Sequence, residues 1–420
     1  MRSLGISRPS LSRLVSAAGS LVVRLGRTRA TRYARSRSVR GLAVEIPIRR
    51  IHPDGSAVRM GSLWPLAARR HLWLRDGEEI LFEGIPPFVD DMRPQGFLGR
   101  RFAERYPELE LPSRLQDWSA DDTLWALSQR GEDTVGDLIL GDASFDRWLG
   151  SSPQATARAR YPQLAREVVL HGAGSSAGGE HPKFAVWTGE RHLLVKYAGR
   201  AEDGPSALRW KDLLGCEAIA LDVLREAGHL ACKACWVDVE GMRFLEVERF
   251  DRIGARGRVG VVSLGAWANE FLGTHRSWTS AAGEMESLEQ LSAADSERIR
   301  WLDVFGALIA NTDRHLWNLS FLWDTVGKPA LAPGYDMLPM LYAPGPEGVI
   351  DRPFEPRGPT SATVGVWPEA ARWAATFWER VTRAEEISAP FREEAARCGE
   401  RVEAMRAGLA HLVPGSGRLS

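Results

Sequence analysis

The chain has 420 residues, and its 54 Lys and Arg balance 54 Asp and Glu. That length suggests two or three domains with ample material for a core. No uninterrupted apolar run is long enough to span a bilayer, and no apolar stretch follows the basic start. This argues against a membrane span or a secretory signal. The four cysteines, Cys216, Cys232, Cys235 and Cys398, argue against a disulfide scaffold and for a reducing cytoplasm.

The overall neutrality conceals an asymmetry. Residues 1–50 hold twelve Arg, no Lys and one acid, Glu45, a local net charge of +11 that the rest of the chain offsets. A basic arm on such a body is the electrostatic footprint of a nucleic-acid contact. Within it, LGISRPSLSRLVSAAG (4–19) predicts a helix, with Gly5 for the turn, Ser7 as cap and Pro9 in the first turn. Ile6, Leu11, Leu14 and Val15 form an apolar stripe, and Arg8, Ser10, Ser12 and Arg13 lie mostly on the other face. SLVVRLGRTRATRYAR (20–35) predicts two strands around GRT, an arginine-studded wing.

Residues 1–40 thus resemble the second half of a winged helix-turn-helix, with Ser7–Ala18 as recognition helix. Arg8, Ser10, Arg13, Arg27, Arg29 and Arg32 are its candidate DNA contacts. A complete winged helix needs one or two helices before this turn, so the module is expected to be partial. A basic arm without fixed structure is the competing reading.

Residues 41–150 read as a mixed segment. GLAVEIPI and SAVRMGSL alternate like strands around an HPDG turn (52–55). The Pro- and Gly-rich stretch 80–107 leads into a helix near Leu98–Arg105, and SRLQDWSADDTLWALSQRG (113–131) predicts another.

From about residue 160 the pattern is strand-rich, then helical. LLVKY (193–197) is a short strand, and KDLLGCEAIALDVLREAG (211–228) an amphipathic helix ended by Gly228. HLACKACWVDV and MRFLEVERF (229–250) are two strands separated by EGM. The CxxC of Cys232 and Cys235 would need a second ligand pair to hold zinc, and the alternation places both in a core strand. Long helices follow at roughly 287–311, 367–381 and 383–411. Strand with Lys, helix with Glu, strands, linker and helical domain is the two-lobe order of a protein kinase. The N-lobe would span 151–251 and the helical C-lobe 252–420.

Four constellations bear chemistry. HGAGSSAGGEHPKF (171–184) packs glycines with Ser175 and Ser176, so that backbone N–H groups near Gly178 and Gly179 can approach phosphate oxygens. Lys196 lies in an apolar strand and needs a partner if buried; Glu217 in the next helix is the candidate. FLEVERFDR (244–252) follows a strand where a kinase chain crosses between lobes. Backbone groups near Glu248 and Phe250 would meet an adenine edge, and Asp251 a ribose hydroxyl. The heaviest signal is NTDRHLWN (311–318), followed by the strands LSFLW (319–323) and LAPGYDM (331–337). Asp313 can take a proton from an attacking hydroxyl, and Asn318 and Asp336 can hold Mg²⁺ against a triphosphate. His315 is expected to shape this loop.

SSAGGEHPK, LLVKY, FLEVERFDR, NTDRHLWNLSFL and PGYDMLP together resemble the HipA family of serine/threonine kinases, toxins of type II toxin–antitoxin systems. PPFVDDMRPQGFLGRRF (86–102) is similar to the family's short N-terminal domain. The basic helix and wing resemble the YjjJ (HipH) branch, in which a DNA-binding module precedes the HipA-like region. The resemblance implies an α+β, two-lobe protein-kinase fold with a β-rich N-lobe and an α-helical C-lobe. Before these would stand a partial winged helix (1–40) and an N-terminal-like domain (41–150).

The same resemblance implies Asp313 as catalytic base, Asn318 and Asp336 as Mg²⁺ ligands, and Lys196 on the ATP phosphates. Glu217 and His315 would support the nucleotide site, and Glu248, Phe250 and Asp251 would form the adenine and ribose hinge. Ser175 or Ser176 would be autophosphorylated, and ejection of that loop would shut off the enzyme. The inserted His181-Pro182 departs from the family's loop. Known relatives phosphorylate aminoacyl-tRNA synthetases, which arrests growth, and bind an antitoxin that carries the DNA-binding part. The expected function is therefore an ATP- and Mg²⁺-dependent growth-arresting kinase in the cytoplasm, with a protein substrate, an antitoxin and DNA as partners, and no membrane. Two other readings stand beside it. One is a DNA-binding regulator whose kinase-like body only binds. The other is a metal-dependent nuclease, which would need clustered acids without a nucleotide loop or an adenine hinge.

Overall fold

The computed structural model describes residues 7–26, 31–94, 96–170 and 181–409. Helix Arg8–Ala18 starts where expected: Ser7 Oγ accepts from the Ser10 backbone N–H, and Pro9 occupies the first turn. Strands Val22–Leu25 and Arg32–Arg35 pair antiparallel and form the expected hairpin. Val23 docks this hairpin on Leu66 and Leu72 of the neighbouring sheet. The expected apolar stripe of the helix is only partly covered. Leu11 and Val15 are half-buried, but Leu14 is 58% exposed.

The next unit is a five-stranded antiparallel sheet in the order Glu78–Phe82, His71–Arg75, Ala57–Pro65, Ile46–Ile51, Leu138–Leu140. Alternation along Ile46–Ile51 sends Ile46 and Ile48 into a core with Leu63, Trp73, Phe88, Leu124 and Leu127. Gly61 permits the close strand contact, since a Cβ there would lie 1.9 Å from the Leu74 carbonyl oxygen. The single helix predicted over 113–131 is instead a 3₁₀ turn at Leu115–Asp117 and a helix at Ala120–Arg130. The cause is a Ser119/Asp122 capping box, which starts a new helix at Ala120.

A four-stranded antiparallel sheet follows, ordered Ala234–Val239, Met242–Glu248, His192–Arg200, Lys183–Trp187. The last of these strands lies partly within the stretch read from sequence as a glycine loop. The helix expected over 211–228 spans Pro205–Glu226, because Pro205 suits a first helical turn. It buries Leu213, Leu214, Leu221 and Leu224 against the sheet, each worth roughly 1.5–3 kcal/mol of burial. The cysteines of the CxxC separate. Cys232 is buried but lies before strand Ala234–Val239, and Cys235 lies in that edge strand but is exposed, so neither is the core-strand residue expected.

The C-terminal part is helical: Leu264–Phe271, Trp278–Ser287, Ala293–Leu308, Trp367–Arg383 and Ala389–Leu409, around Phe305, Phe377, Trp378 and Phe391. A small sheet of Val261–Ser263, Ser320–Leu322 and Ala330–Leu331 sits against it. The strand predicted over 331–337 ends at Leu331; the chain beyond it bends irregularly to Asp336. Among the described residues no helix is long and apolar enough to cross a membrane.

The five-stranded unit is latched to the helical part through Asp91. Its buried carboxylate accepts from the Ser263 backbone N–H at 3.0 Å and from Ser263 Oγ, at the start of helix Leu264–Phe271. Burial outweighs these bonds and pushes the Asp91 carboxyl up to about 6. A carboxyl raised in the folded state stabilises below its unfolded value near 3.8, and that contribution is lost as pH rises through about 6. Asp91→Asn is therefore expected to flatten the stability–pH profile. Relative to the parent it should gain on the order of 2 kcal/mol between pH 4 and pH 7. Urea unfolding of both proteins across that range checks this; parallel profiles would contradict it.

Candidate active site

Strand parity decides where Lys196 points. Leu193, Val195 and Tyr197 face a cluster with Phe184, Phe244 and Tyr161, so Lys196 faces the other way, toward helix Pro205–Glu226. There its Nζ donates to both carboxylate oxygens of Glu217 at 2.7 Å, and it also pairs with Asp336. Lys196 and Glu217 are both buried. Burial opposes the Lys196 charge, but Asp336 and Glu217 outweigh it and raise its pKa. For Asp336 the balance runs the same way: burial raises it, yet Lys196 and Lys183 hold it down at about 2. Burial is the main influence on Glu217 and raises its carboxyl against the pull of Lys196.

The loop after helix Ala293–Leu308 is built by side chains that grip its backbone. Trp378 Nε1 donates to the Leu308 carbonyl at 2.9 Å, closing the end of the helix. Ala310 turns the chain with φ 59°, a left-handed conformation unusual outside glycine. Asn311 is buried, and sequence reasoning assigned it no role. Its Oδ1 accepts from the Asp313 backbone N–H at 3.0 Å, and its Nδ2 donates to the Asp336 carbonyl at 3.1 Å. One amide thus ties the backbones of the two key acids. The clue in sequence was a polar residue directly after an apolar helix.

Arg314 reaches back to Asp303 at 2.9 Å and to the Asn311 carbonyl, passing over Gly306, where a Cβ would lie 2.5 Å from its Cδ. Trp278 Nε1 donates to the His315 carbonyl at 2.9 Å, and Tyr335 Oη to the Trp317 carbonyl at 3.0 Å.

Within this frame Asn318 Nδ2 donates to the Asp313 carbonyl at 2.8 Å, and His315 Nε2 lies 3.8 Å from Asp313 Oδ1. Burial raises the Asp313 carboxyl, partly opposed by His315. Asp336 adopts φ 52°, a strained backbone held by its neighbours.

Asp313, His315, Asn318, Asp336, Lys196, Glu217, Glu248, Phe250 and Asp251 all line one cleft of about 1280 Å³. That exceeds the roughly 300–1,000 Å³ of small-ligand pockets and leaves space beside a nucleotide. The Asn318 amide oxygen and the ionised Asp336 carboxylate are hard oxygen donors suited to Mg²⁺, which takes few protein ligands and completes its shell with phosphate and water. Among the described residues no group of three His, Cys, Asp or Glu stands ready to cage a metal.

The hinge is more tightly committed than expected. Phe250 stacks on Tyr335 with ring centroids 5.9 Å apart. Asp251 accepts from Arg249 at 3.0 Å, Arg252 at 2.6 Å and the Gly136 backbone N–H at 3.1 Å. Burial works against its charge, but Arg249 and Arg252 hold its carboxyl well below the usual range. A ribose hydroxyl would have to compete with these partners. Asp251 also joins the hinge to the five-stranded unit, where Asp133 pairs with Arg249 at 3.1 Å and Arg252 at 2.9 Å.

Ser175, Ser176, Gly178 and Gly179 lie outside the described residues, as do Arg27 and Arg29. Arg8 lies in the N-terminal helix, Ser10 is half-buried, and Arg13 and Arg32 are exposed.

Comparison with known proteins gives concordant matches. A family model described as "YjjJ-like toxin, middle domain" matches residues 42–149, and one described as "HipA-like C-terminal domain" matches 175–408. Toxin YjjJ of Escherichia coli (strain K12) is 36% identical over 430 residues, covering 97% of this chain and 95% of its own. Among solved structures, the Shewanella oneidensis MR-1 toxin–antitoxin complex of HipA, HipB and operator DNA matches with TM-score 0.56 at 16% identity. It covers 86% of this chain and 99% of the matched one, a likeness of fold alone.

Removing one partner from the Lys196–Glu217 pair leaves a buried charge unmatched. Lys196→Met is expected to destabilise the protein by about 3 kcal/mol, and Lys196→Met/Glu217→Leu to recover much of that. Chemical denaturation of both variants checks this; a double variant no more stable than the single one would contradict it.

Proposed function

The chain belongs to the YjjJ-like toxins of the HipA family, and we propose that it is an ATP- and Mg²⁺-dependent serine/threonine protein kinase that arrests growth. The observation that carries this reading is the convergence in one cleft of the Lys196–Glu217 pair with Asp313, Asn318 and Asp336. Bound Mg²⁺·ATP supplies the phosphoryl group and the cation that neutralises charge on it. Lys196, held by Glu217, would orient the phosphates. Asn318 and Asp336 would hold the metal. Asp313 would accept the proton of the acceptor hydroxyl, and burial raises its basicity in the useful direction. Catalysis would come from positioning and charge neutralisation, as in other phosphoryl transfers.

Glu248 and Phe250 would face the adenine, and Ser175 or Ser176 would be the autophosphorylated residue. The acceptor would be a protein hydroxyl, with an aminoacyl-tRNA synthetase as the candidate that the family resemblance implies. The site of action is the cytoplasm. An antitoxin and DNA are the further partners. Support for DNA contact comes from the exposed Arg13, Arg24, Arg32 and Arg35 on the N-terminal helix and hairpin.

Asp313→Asn should abolish phosphate transfer from labelled ATP, including label on the peptide carrying Ser175 and Ser176, while circular dichroism stays unchanged. Wild-type transfer by this variant would refute the assignment. DNA affinity measured by gel shift should fall steeply with added salt, as counterions released by phosphate contacts require. Salt-independent binding would remove the arginines from that role.

A further inference from the structure

The residues that follow Asn318 and those that precede helix Leu264–Phe271 form one short ladder. Val262 pairs with Phe321 and Ser263 with Ser320, and the Leu264 backbone N–H donates to the Leu319 carbonyl at 2.8 Å. Leu319, and with it the adjoining Asn318, is therefore placed by residues 261–264. Ser263 in turn is gripped from another part of the molecule. Asp91, on the short helix Pro87–Met92 of the five-stranded unit, accepts from both the backbone N–H and the Oγ of Ser263. The same Oγ accepts from the Ala266 backbone N–H at 3.1 Å and so starts the helix. Asp91 and Ser263 are both buried.

Gly265 supplies an independent observation. It lies in the first turn of helix Leu264–Phe271, and its φ is outside the left-handed region, so the backbone conformation does not call for glycine. What calls for it is the Trp317 indole. A Cβ on residue 265 would stand 2.4, 2.6 and 2.7 Å from three carbons of that ring. The indole thus rests on bare helix backbone, one residue before Asn318. The Trp317 carbonyl is held as well: it accepts from Tyr335 Oη at 3.0 Å, and Tyr335 Oη is 2.7 Å from Ser320 Oγ. Asp91, Ser263, Trp317, Asn318 and Tyr335 all line the cleft.

We infer that Asp91 and Gly265 are positioning residues for Asn318, which makes the five-stranded unit a working part of the cleft. This rests on the reading of Asn318 as a Mg²⁺ ligand and deepens it. Asp91 fixes the strand edge from which Leu319 hangs, and Gly265 sets how deep the Trp317 ring lies. Both act through the backbone on either side of Asn318. A side-chain ligand has to be held within about 0.5 Å of its productive place, and support from surrounding residues is what holds it there. Loss of either support moves the Asn318 amide without removing a group that binds nucleotide.

The test uses the full chain and labelled ATP. It records kcat, KM for ATP and the Mg²⁺ concentration giving half the maximal rate, together with urea unfolding of every variant. Gly265→Ala should lower kcat about tenfold to a hundredfold, the effect of a displaced group near the chemistry. It should also raise the Mg²⁺ requirement and leave KM for ATP and the unfolding midpoint nearly unchanged. In a Trp317→Leu background the added methyl meets no ring, so Gly265→Ala should cost little further. Asp91→Leu should behave like Gly265→Ala. Asp91→Asn should restore most of the rate, since its amide can accept from the Ser263 N–H and donate to Ser263 Oγ. Wild-type kcat and Mg²⁺ dependence in Gly265→Ala would overturn the inference. Additive losses in the double variant, or Asp91→Asn as slow as Asp91→Leu, would overturn it too. If the wild type transfers no phosphate, the kinase reading fails by itself. Hydrogen exchange of residues 311–320 in the ligand-free chain then decides the inference: faster exchange in Gly265→Ala supports it, and unchanged exchange overturns it.

Discussion

The Lys196 ammonium is the point on which the rest of the structure turns. A buried cation is tolerated only if carboxylates surround it, and the chain brings them from two places far apart in sequence. Glu217 arrives on the helix that packs on the sheet, and Asp336 on the irregular segment after the small three-stranded sheet. Each contact constrains a different lobe. The pair with Glu217 sets the helix against the sheet, and the pair with Asp336 draws the helical part toward the same strand. Closing the cleft and solving a desolvation problem are therefore one event. The ionised Asp336 that Lys196 maintains is also a hard oxygen donor of the kind that suits a small divalent cation.

Around this centre the protein invests in holding backbone rather than side chains. Asn311, Trp278, Tyr335 and Arg314 all bind carbonyls or N–H groups of the loop that carries Asp313, and Trp378 closes the helix that leads into it. That scaffolding allows left-handed conformations at Ala310 and Asp336, which cost free energy and persist only where neighbours over-determine them. Asp251 does similar work at the hinge. Its contacts with Arg249, Arg252 and Gly136 fasten the five-stranded unit to the junction between lobes.

Much of this was legible in sequence because it is local. The capping of helix Arg8–Ala18, the alternation of LLVKY and the spacing of Asp313 and Asn318 each follow from rules that act over a few residues. The readings that had to be revised involve context. The helix over 113–131 divided at a capping box. Strand Lys183–Trp187 was hidden behind a glycine-rich run that dominates its local composition. The strand toward Asp336 ended early because its later residues serve bridges and turns rather than a ladder. Asp251 was read for a ribose contact, and its partners in the structure, Arg252 adjacent and Arg249 two residues away, were not read from the sequence. Nothing in ERFDR by itself says whether those charges face water or each other.

By itself the sequence determined much of the element order and the two-lobe plan, and singled out Lys196, Asp313, Asn318 and Asp336 as candidates, since strand parity, helix capping and motif spacing are properties of neighbouring residues. Only the tertiary structure decided that Asp336 joins Glu217 in neutralising Lys196, that Asn311 ties Asp313 to Asp336, and that Lys183 stands across from Lys196. The physical reason is that burial and charge pairing depend on distance in space. Lys196 and Asp336 are 140 positions apart in the chain, and no periodicity reaches across that interval. The fold brings them together because a buried charge leaves it no cheaper arrangement.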